Sequence, residues 1–263
     1  MTVSHKTDVV WGRTHSTAEL KAVKQPLEYV NRPPSSEDIR RLFDRIAPTY
    51  DDINQQLSLG LHRIWKQMAV DWSAASVGQT CLDICCGSGD VAILLAKRVG
   101  KNGQVYGLDF SAAQLAIAQH KKPISNRLGK LHWVHGDALA LPFDPNSFDA
   151  VTMAYGLRNL TSFAEGLQEI YRILRPGAKA AILDFGHPDR MHVQQFQKLY
   201  LDTIVVPAAR RFGLSKEYAY INSSLERFPT GNQQKHLARE VGFTSTVYYP
   251  LMGGLMGVLV LTQ

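Results

Sequence analysis

From Thr80 onward, short apolar runs alternate with longer segments of helical period. The runs are Thr80–Ile84, Gln104–Phe110, Leu131–His135, Phe148–Ala154 and Ala178–Phe185. Helical patterns fill the intervals at about 89–99, 111–121 and 161–174. Strand, helix and strand repeated in this way predict a parallel sheet with helices on both faces, joined by right-handed crossovers. Arg175-Pro176-Gly177 is the expected stop before the fifth strand. A longer helical stretch runs from Val193 to Arg211, interrupted by Pro207. The C-terminal part reads as a helix, Gly231–Val241, then Gly242 and two strands, Thr244–Tyr249 and Val258–Leu261, near enough to pair antiparallel.

Ahead of the sheet, Ser35 or Ser36 can cap a helix with Glu37 and Asp38 in its first turn. Ile39, Leu42, Phe43 and Ile46 follow at helical spacing, and Pro48 is expected to stop it. A second helix is predicted over Arg63–Trp72, with Ile64, Met68 and Trp72 on one stripe. Residues 1–35 lack a sustained apolar period and end in Arg32-Pro33-Pro34-Ser35-Ser36, a cluster that breaks regular structure. They read as a mobile N-terminal arm, followed by one domain over 36–263. The arm has no apolar core of the signal-peptide kind. Its Ser and Thr content suits a transit peptide, but Asp8, Glu19 and Glu28 oppose that reading.

Composition narrows the class. At 45% hydrophobic and 20% charged over 263 residues, the chain can bury a large core without a disulfide or metal staple. No run of roughly 18 uncharged apolar residues marks a membrane span. The three cysteines, Cys81, Cys85 and Cys86, form neither a disulfide framework nor a zinc spacing, so a reducing compartment is expected. The net charge of +6 is scattered, with no run of five basic residues and no basic stripe interleaved with aromatics, which argues against a nucleic-acid partner.

Chemistry concentrates at the strand ends. The first strand runs into Leu82-Asp83-Ile84-Cys85-Cys86-Gly87-Ser88-Gly89-Asp90 and then a helix. Gly87 and Gly89 permit a sharp turn and close approach of backbone to a ligand, at the carboxyl end of a central strand. The pattern Gly87-x-Gly89-x-x-Ala92, with Asp109 about 20 residues on as a ribose acceptor, fits NAD and S-adenosylmethionine equally. Acid placement separates the two. A diphosphate needs helix-end amides free of carboxylates, whereas Asp83 and Asp90 flank this turn and suit an amino group and a sulfonium cation. After the third strand, Asp137 can accept from an adenine amine while the Ala138 N–H meets a ring nitrogen. Together these motifs indicate an α/β, class I S-adenosylmethionine methyltransferase (Rossmann-like). The expected form is a mostly parallel seven-stranded sheet with an antiparallel C-terminal hairpin and N-terminal helices.

Several further strings resemble the UbiE/MenG quinone C-methyltransferases. They are Phe43-Asp44-Arg45-Ile46-Ala47-Pro48-Thr49-Tyr50-Asp51, Leu57-Ser58-Leu59-Gly60 with His62-Arg63-Ile64-Trp65-Lys66, Thr152-Met153-Ala154-Tyr155-Gly156-Leu157-Arg158-Asn159, and Tyr171-Arg172-Ile173-Leu174-Arg175-Pro176-Gly177. The resemblance covers about residues 40–262. Cys85-Cys86-Gly87-Ser88-Gly89-Asp90 is most similar to the branch from oxygenic phototrophs. That branch implies methylation of demethylphylloquinone (2-phytyl-1,4-naphthoquinone), with demethylmenaquinol or a prenyl benzoquinol as alternatives. Ser88, Asp109, Asp137 and Ala138 match the family's cofactor positions, and Ala154 does so as a departure from Ser.

A quinone ring is electron-poor, so the nucleophile should be the quinol, whose unperturbed phenol titrates near 10. Arg158 is a poor base and is expected to act as a fixed cation stabilising the quinolate, with Asn159 orienting the ring oxygen. Tyr50 is expected near cofactor or substrate. Base candidates are Asp51, His62 and His187. A phytyl-bearing substrate implies peripheral contact with a thylakoid or inner membrane from the cytoplasm or stroma. The stretch Phe196–Phe212, with Arg210 and Arg211, would supply an apolar lid, a homodimer interface or ordinary core. No metal is implied.

Overall fold

The computed structural model describes residues 35–58, 60–121, 128–188, 191–200, 202–203, 220 and 223–263. All lie in the compact unit Pro33–Gln263. The arm expected over residues 1–35 falls, Ser35 aside, outside the described residues, as do Ile204, Val205, Val206, Arg210, Arg211 and Phe212.

Seven strands form one sheet: β1 (Thr80–Ile84), β2 (Gln104–Asp109), β3 (Lys130–His135), β4 (Phe148–Ala154), β5 (Leu174–Phe185), β6 (Ser245–Leu251) and β7 (Met256–Thr262). Their spatial order is β3-β2-β1-β4-β5-β7-β6. The first five are parallel, and β7 runs antiparallel to both β5 and β6. Strand order reverses between β1 and β4, so their carboxyl ends diverge into a crevice.

The two-residue period of the strands separates two cores. Leu82, Ile84, Val151, Met153 and Ile182 face one side. There they meet Leu167 and Ile170 of α6 (Phe163–Ile173) and Ala238 of α8 (Gly231–Val241). Cys81, Val105 and Ala150 face the other, against Val91 and Leu95 of α4 (Asp90–Val99) and Val70 of α3 (Leu61–Trp72). Phe148, Phe143 and Tyr106 pack edge to face in the first core, with Phe143 and Phe148 centroids 4.9 Å apart.

Three expectations change in detail. Pro48 ends the α-helix α1 (Ser36–Ile46) but sits early in a 3₁₀ turn, Ala47–Thr49, where its missing N–H costs nothing, and the chain runs on into α2 (Tyr50–Leu57). In α3 the stripe Ile64-Met68-Trp72 is not the buried face. Ile64 is 57% exposed, and His62, Lys66, Ala69 and Val70 turn inward. Ala69 lets the helix approach the sheet closely, while the two polar side chains find partners at its end near the crevice. Finally, Arg175-Pro176-Gly177 ends α6 yet remains part of β5. Phe148 pairs with Leu174 but Ala150 with Lys179, so the breaker is absorbed as a bulge.

Candidate functional site

A cleft opens at the reversal point of the sheet. Its floor is the turn after β1. Gly89 caps α4 with φ +86°, and a Cβ there would lie 2.5 Å from the Trp133 ring, so only glycine fits. Across the crevice, a Cβ on Gly156 would stand 2.8 Å from that of Cys85, which is why the β1 and β4 loops can touch. Both loops store strain beside the cleft. Cys85 (φ +54°) and Tyr155 (φ +61°) are side-chain-bearing residues held in the left-handed region.

Asp83, Gly87 and Ser88 line the cleft from β1 and its turn, and Asp109 from the end of β2. Asp137 and Ala138 line it after β3, and Ala154, Asn159 and Tyr50 complete the set of expected residues found there. Gly89, within the same turn, and Arg158 do not line the cleft. Phe43 of α1 and Phe110 form an aromatic wall with Tyr50, at ring separations of 6.2–6.3 Å.

The carboxylates differ in state. Burial pushes Asp83 up to about 7, only partly opposed by the Thr152 hydroxyl (2.8 Å) and by Lys66. Its Oδ2 is buried and accepts no hydrogen bond among the described residues. Burial likewise raises Asp109 to about 6, although the Ser111 and Gly87 N–H groups donate to its two oxygens at 2.9 and 2.8 Å. Ser111, not Asp109, caps α5 (Ala112–His120) through the Gln114 N–H. Burial pushes Asp90 upward as well, but Lys66 and Lys121 together override it and hold the carboxyl at about 2. Lys121 also donates to Asp51 (2.7 Å) and Ser88 (2.9 Å), tying α2 to the turn.

On the β4 side, Arg158 is buried in an ion pair with Asp184, Nη1 to Oδ1 at 2.7 Å. Its guanidinium lies 5.0 Å from the Phe185 ring centroid. Arg158 Nη1 and Asn159 Nδ2 both donate to the Tyr155 carbonyl at 2.9 Å, bracing the strained turn. Asn159 does not cap the following helix; Ser162 does. Arg158 Nε and Asn159 Oδ1 are buried without partners among the described residues.

None of the three base candidates lines the cleft. Asp51 is engaged by Lys121 and Ser88, His62 by Ser58 at 2.7 Å, and His187 by the Phe228 carbonyl at 3.1 Å. Burial pushes His62 below the usual imidazole value. Sequence reasoning did not single out Lys66 or Asp184. An acid at the carboxyl end of β5 was the available signal for Asp184, and Lys66 stood in the string His62-Arg63-Ile64-Trp65-Lys66 without a role assigned to it.

The residues present suit S-adenosylmethionine. An orphaned carboxylate oxygen calls for a donor, Asp109 has unused lone pairs for hydroxyls, and a crowd of acids favours a cation over a diphosphate. The comparisons agree. A model of the ubiE/COQ5 methyltransferase family matches residues 33–261. The chain is 54% identical over 228 residues to a Trichormus variabilis protein named 2-phytyl-1,4-naphtoquinone methyltransferase, covering 87% of this chain and all of that one. It is 48% identical over 227 residues to the Arabidopsis thaliana 2-phytyl-1,4-beta-naphthoquinone methyltransferase, described as chloroplastic, covering 86% and 87% of the two chains. Among solved structures, a SAM-dependent methyltransferase from Aquifex aeolicus shares the fold at TM-score 0.57 and 16% identity, covering 81% of this chain and 97% of that one.

Proposed function

The chain belongs to the ubiE/COQ5 methyltransferase family, and from that premise we propose that it methylates a ring carbon of reduced 2-phytyl-1,4-naphthoquinone, yielding the quinol of phylloquinone (vitamin K1). When bound, S-adenosylmethionine would supply an electrophilic methyl group on a sulfonium and leave as S-adenosylhomocysteine, while the methylated ring carbon gives up its hydrogen as a proton and the ring regains its aromaticity. The observation that carries the reading is the acid-lined cleft with its orphaned Asp83 oxygen, which favours a cationic donor at the sheet's reversal point. The names of the relatives favour a phytyl naphthoquinone over demethylmenaquinol or a benzoquinol as acceptor.

In this reading Asp83 accepts from the donor's ammonium and Asp109 from its ribose. Asp137 and the Ala138 N–H take the adenine edge, with Gly87, Ser88 and Ala154 forming the close backbone approach. Asn159 presents its unpartnered Oδ1 to the acceptor's hydroxyl. Arg158 stays charged, since Asp184 raises its proton affinity against the cost of burial. Arg158 therefore acts as a fixed cation behind Asn159, favouring a developing quinolate. Tyr50 closes the cleft over the ring.

The acceptor's tail requires a lipid surface. No helix among the described residues is long and apolar enough to cross a membrane. Met191 and Leu199 on α7 (Met191–Tyr200) and Met252 are 72%, 60% and 53% exposed, respectively. Gln197 docks α7 on the Leu255 carbonyl near the β6–β7 turn. We assign these side chains to peripheral contact with a thylakoid or inner membrane, from the stroma or cytoplasm.

The test is direct. Purified protein with S-adenosylmethionine and chemically reduced 2-phytyl-1,4-naphthoquinone yields a singly methylated product by mass spectrometry. Methylation of the oxidised quinone but not the quinol overturns the nucleophile assigned here. Faster turnover on a prenyl benzoquinol overturns the acceptor.

A further inference from the structure

The cleft sets four carboxylates against one ammonium group. Asp83, Asp90, Asp109 and Asp137 line it, and Lys66 is the only Lys, Arg or His among its described lining residues. Lys66 comes from the inward face of α3, beside Ala69 and Val70, and its side chain is 10% exposed. A cation so placed loses most of its hydration and needs compensating partners. Among the described residues it makes one hydrogen bond, Nζ to Asp90 Oδ2 at 2.9 Å. An ammonium group has three N–H donors, so two remain.

A purely structural pairing of α3 with α4 would account for the Lys66–Asp90 contact alone. It does not account for the opening of Lys66 into the cleft. Asp90 takes its charge support from both lysines, and Lys121 donates to its other oxygen at 2.6 Å, so Asp90 keeps a direct partner when Lys66 also contacts a ligand. Lys66 can thus keep its bond to Asp90 and turn its remaining N–H donors toward a ligand.

The methyl donor carries two cationic groups and one carboxylate. The acids of the cleft serve the cations, and they would repel the carboxylate wherever no positive charge offsets them. We propose that Lys66 is the anchor for the carboxylate of the donor's amino-acid end. The assignment rests on the reading of the cleft as a S-adenosylmethionine site. It gives Lys66 a second task beyond binding: fixing one end of the donor fixes which way the sulfonium faces, and so which side of the cleft receives the methyl group.

Calorimetric titration of the full chain tests this with two ligands, S-adenosylmethionine and decarboxylated S-adenosylmethionine. The second keeps the sulfonium and amine but lacks the carboxylate. Wild-type protein should prefer the carboxylated ligand. Lys66→Gln, which can still hydrogen-bond Asp90, should weaken it on the order of 10–100-fold while leaving the decarboxylated ligand within about twofold. Lys66→Arg should restore most of the preference. Equal loss for both ligands, or loss for neither, overturns the assignment. Equal wild-type affinity for the two also overturns it, a reading that needs no variant to fold. Wild-type protein that binds neither ligand overturns the cofactor reading of the cleft itself, a distinguishable result.

Discussion

Affinity for the cofactor should depend on pH through Asp83. Its carboxyl stands at about 7 in the ligand-free protein, against an ordinary value of 3.8, because burial removes its water and the Thr152 hydroxyl and Lys66 offset that only in part. The shift is upward, so the fold favours the neutral acid. That contribution to stability is complete below the ordinary value and is lost as pH rises through about 7. A ligand ammonium needs the ionised form, so binding must first remove the proton. The apparent dissociation constant then scales as 1 + 10^(7−pH), which is about 11 at pH 6, 2 at pH 7 and 1.1 at pH 8. Asp109, at about 6, adds a further factor of about 2 at pH 6. Together they predict affinity for S-adenosylhomocysteine roughly 20-fold weaker at pH 6 than at pH 8. Titration calorimetry in buffers of different ionisation heat should also detect about half a proton released per ligand bound at pH 7. Asp83→Asn should bind more weakly but lose most of the slope, and titration of the ligand itself cancels between the two proteins. Unchanged affinity from pH 6 to 8, or the full slope surviving in Asp83→Asn, refutes the reasoning.

Three other outcomes follow from the packing. Arg158→Met leaves Asp184 buried without its cation and should cost about 3–5 kcal/mol in urea unfolding, with Arg158→Met/Asp184→Asn recovering most of it; a single-variant loss under about 1 kcal/mol, as for an exposed pair, would refute a tightly coupled pair. Phe148→Ala empties a fully buried ring site at the far end of β4 from the cleft and should cost about 3–5 kcal/mol while leaving cofactor affinity within about twofold. Gly89→Ala forces a side chain into the left-handed region and against Trp133, so its thermal midpoint should fall by several degrees; an unchanged midpoint would contradict the close approach of turn and ring.

Much of the sheet was legible because strand signals are local. Runs such as Thr80–Ile84 and Phe148–Ala154 alternate faces with a period fixed by backbone geometry, and they match the observed strands end to end. The glycine turn and its neighbouring acids were legible for the same reason: backbone reach and charge are properties of adjacent residues. The inward face of α3 was not, because helical period identifies an apolar stripe and this helix buries a lysine and a histidine instead.

Sequence by itself therefore determined the α/β order and the glycine turn with its flanking acids at the end of the first strand. Only the tertiary structure decided which charges meet. Asp184 reaches Arg158 across 26 positions of chain, and Lys121 reaches Asp90 across 31 and Asp51 across 70. The reason is physical: a hydrophobic period is set by the chain's own geometry, whereas a buried charge is tolerated only where the closed fold delivers its partner, and that partner is chosen by topology rather than by neighbouring sequence.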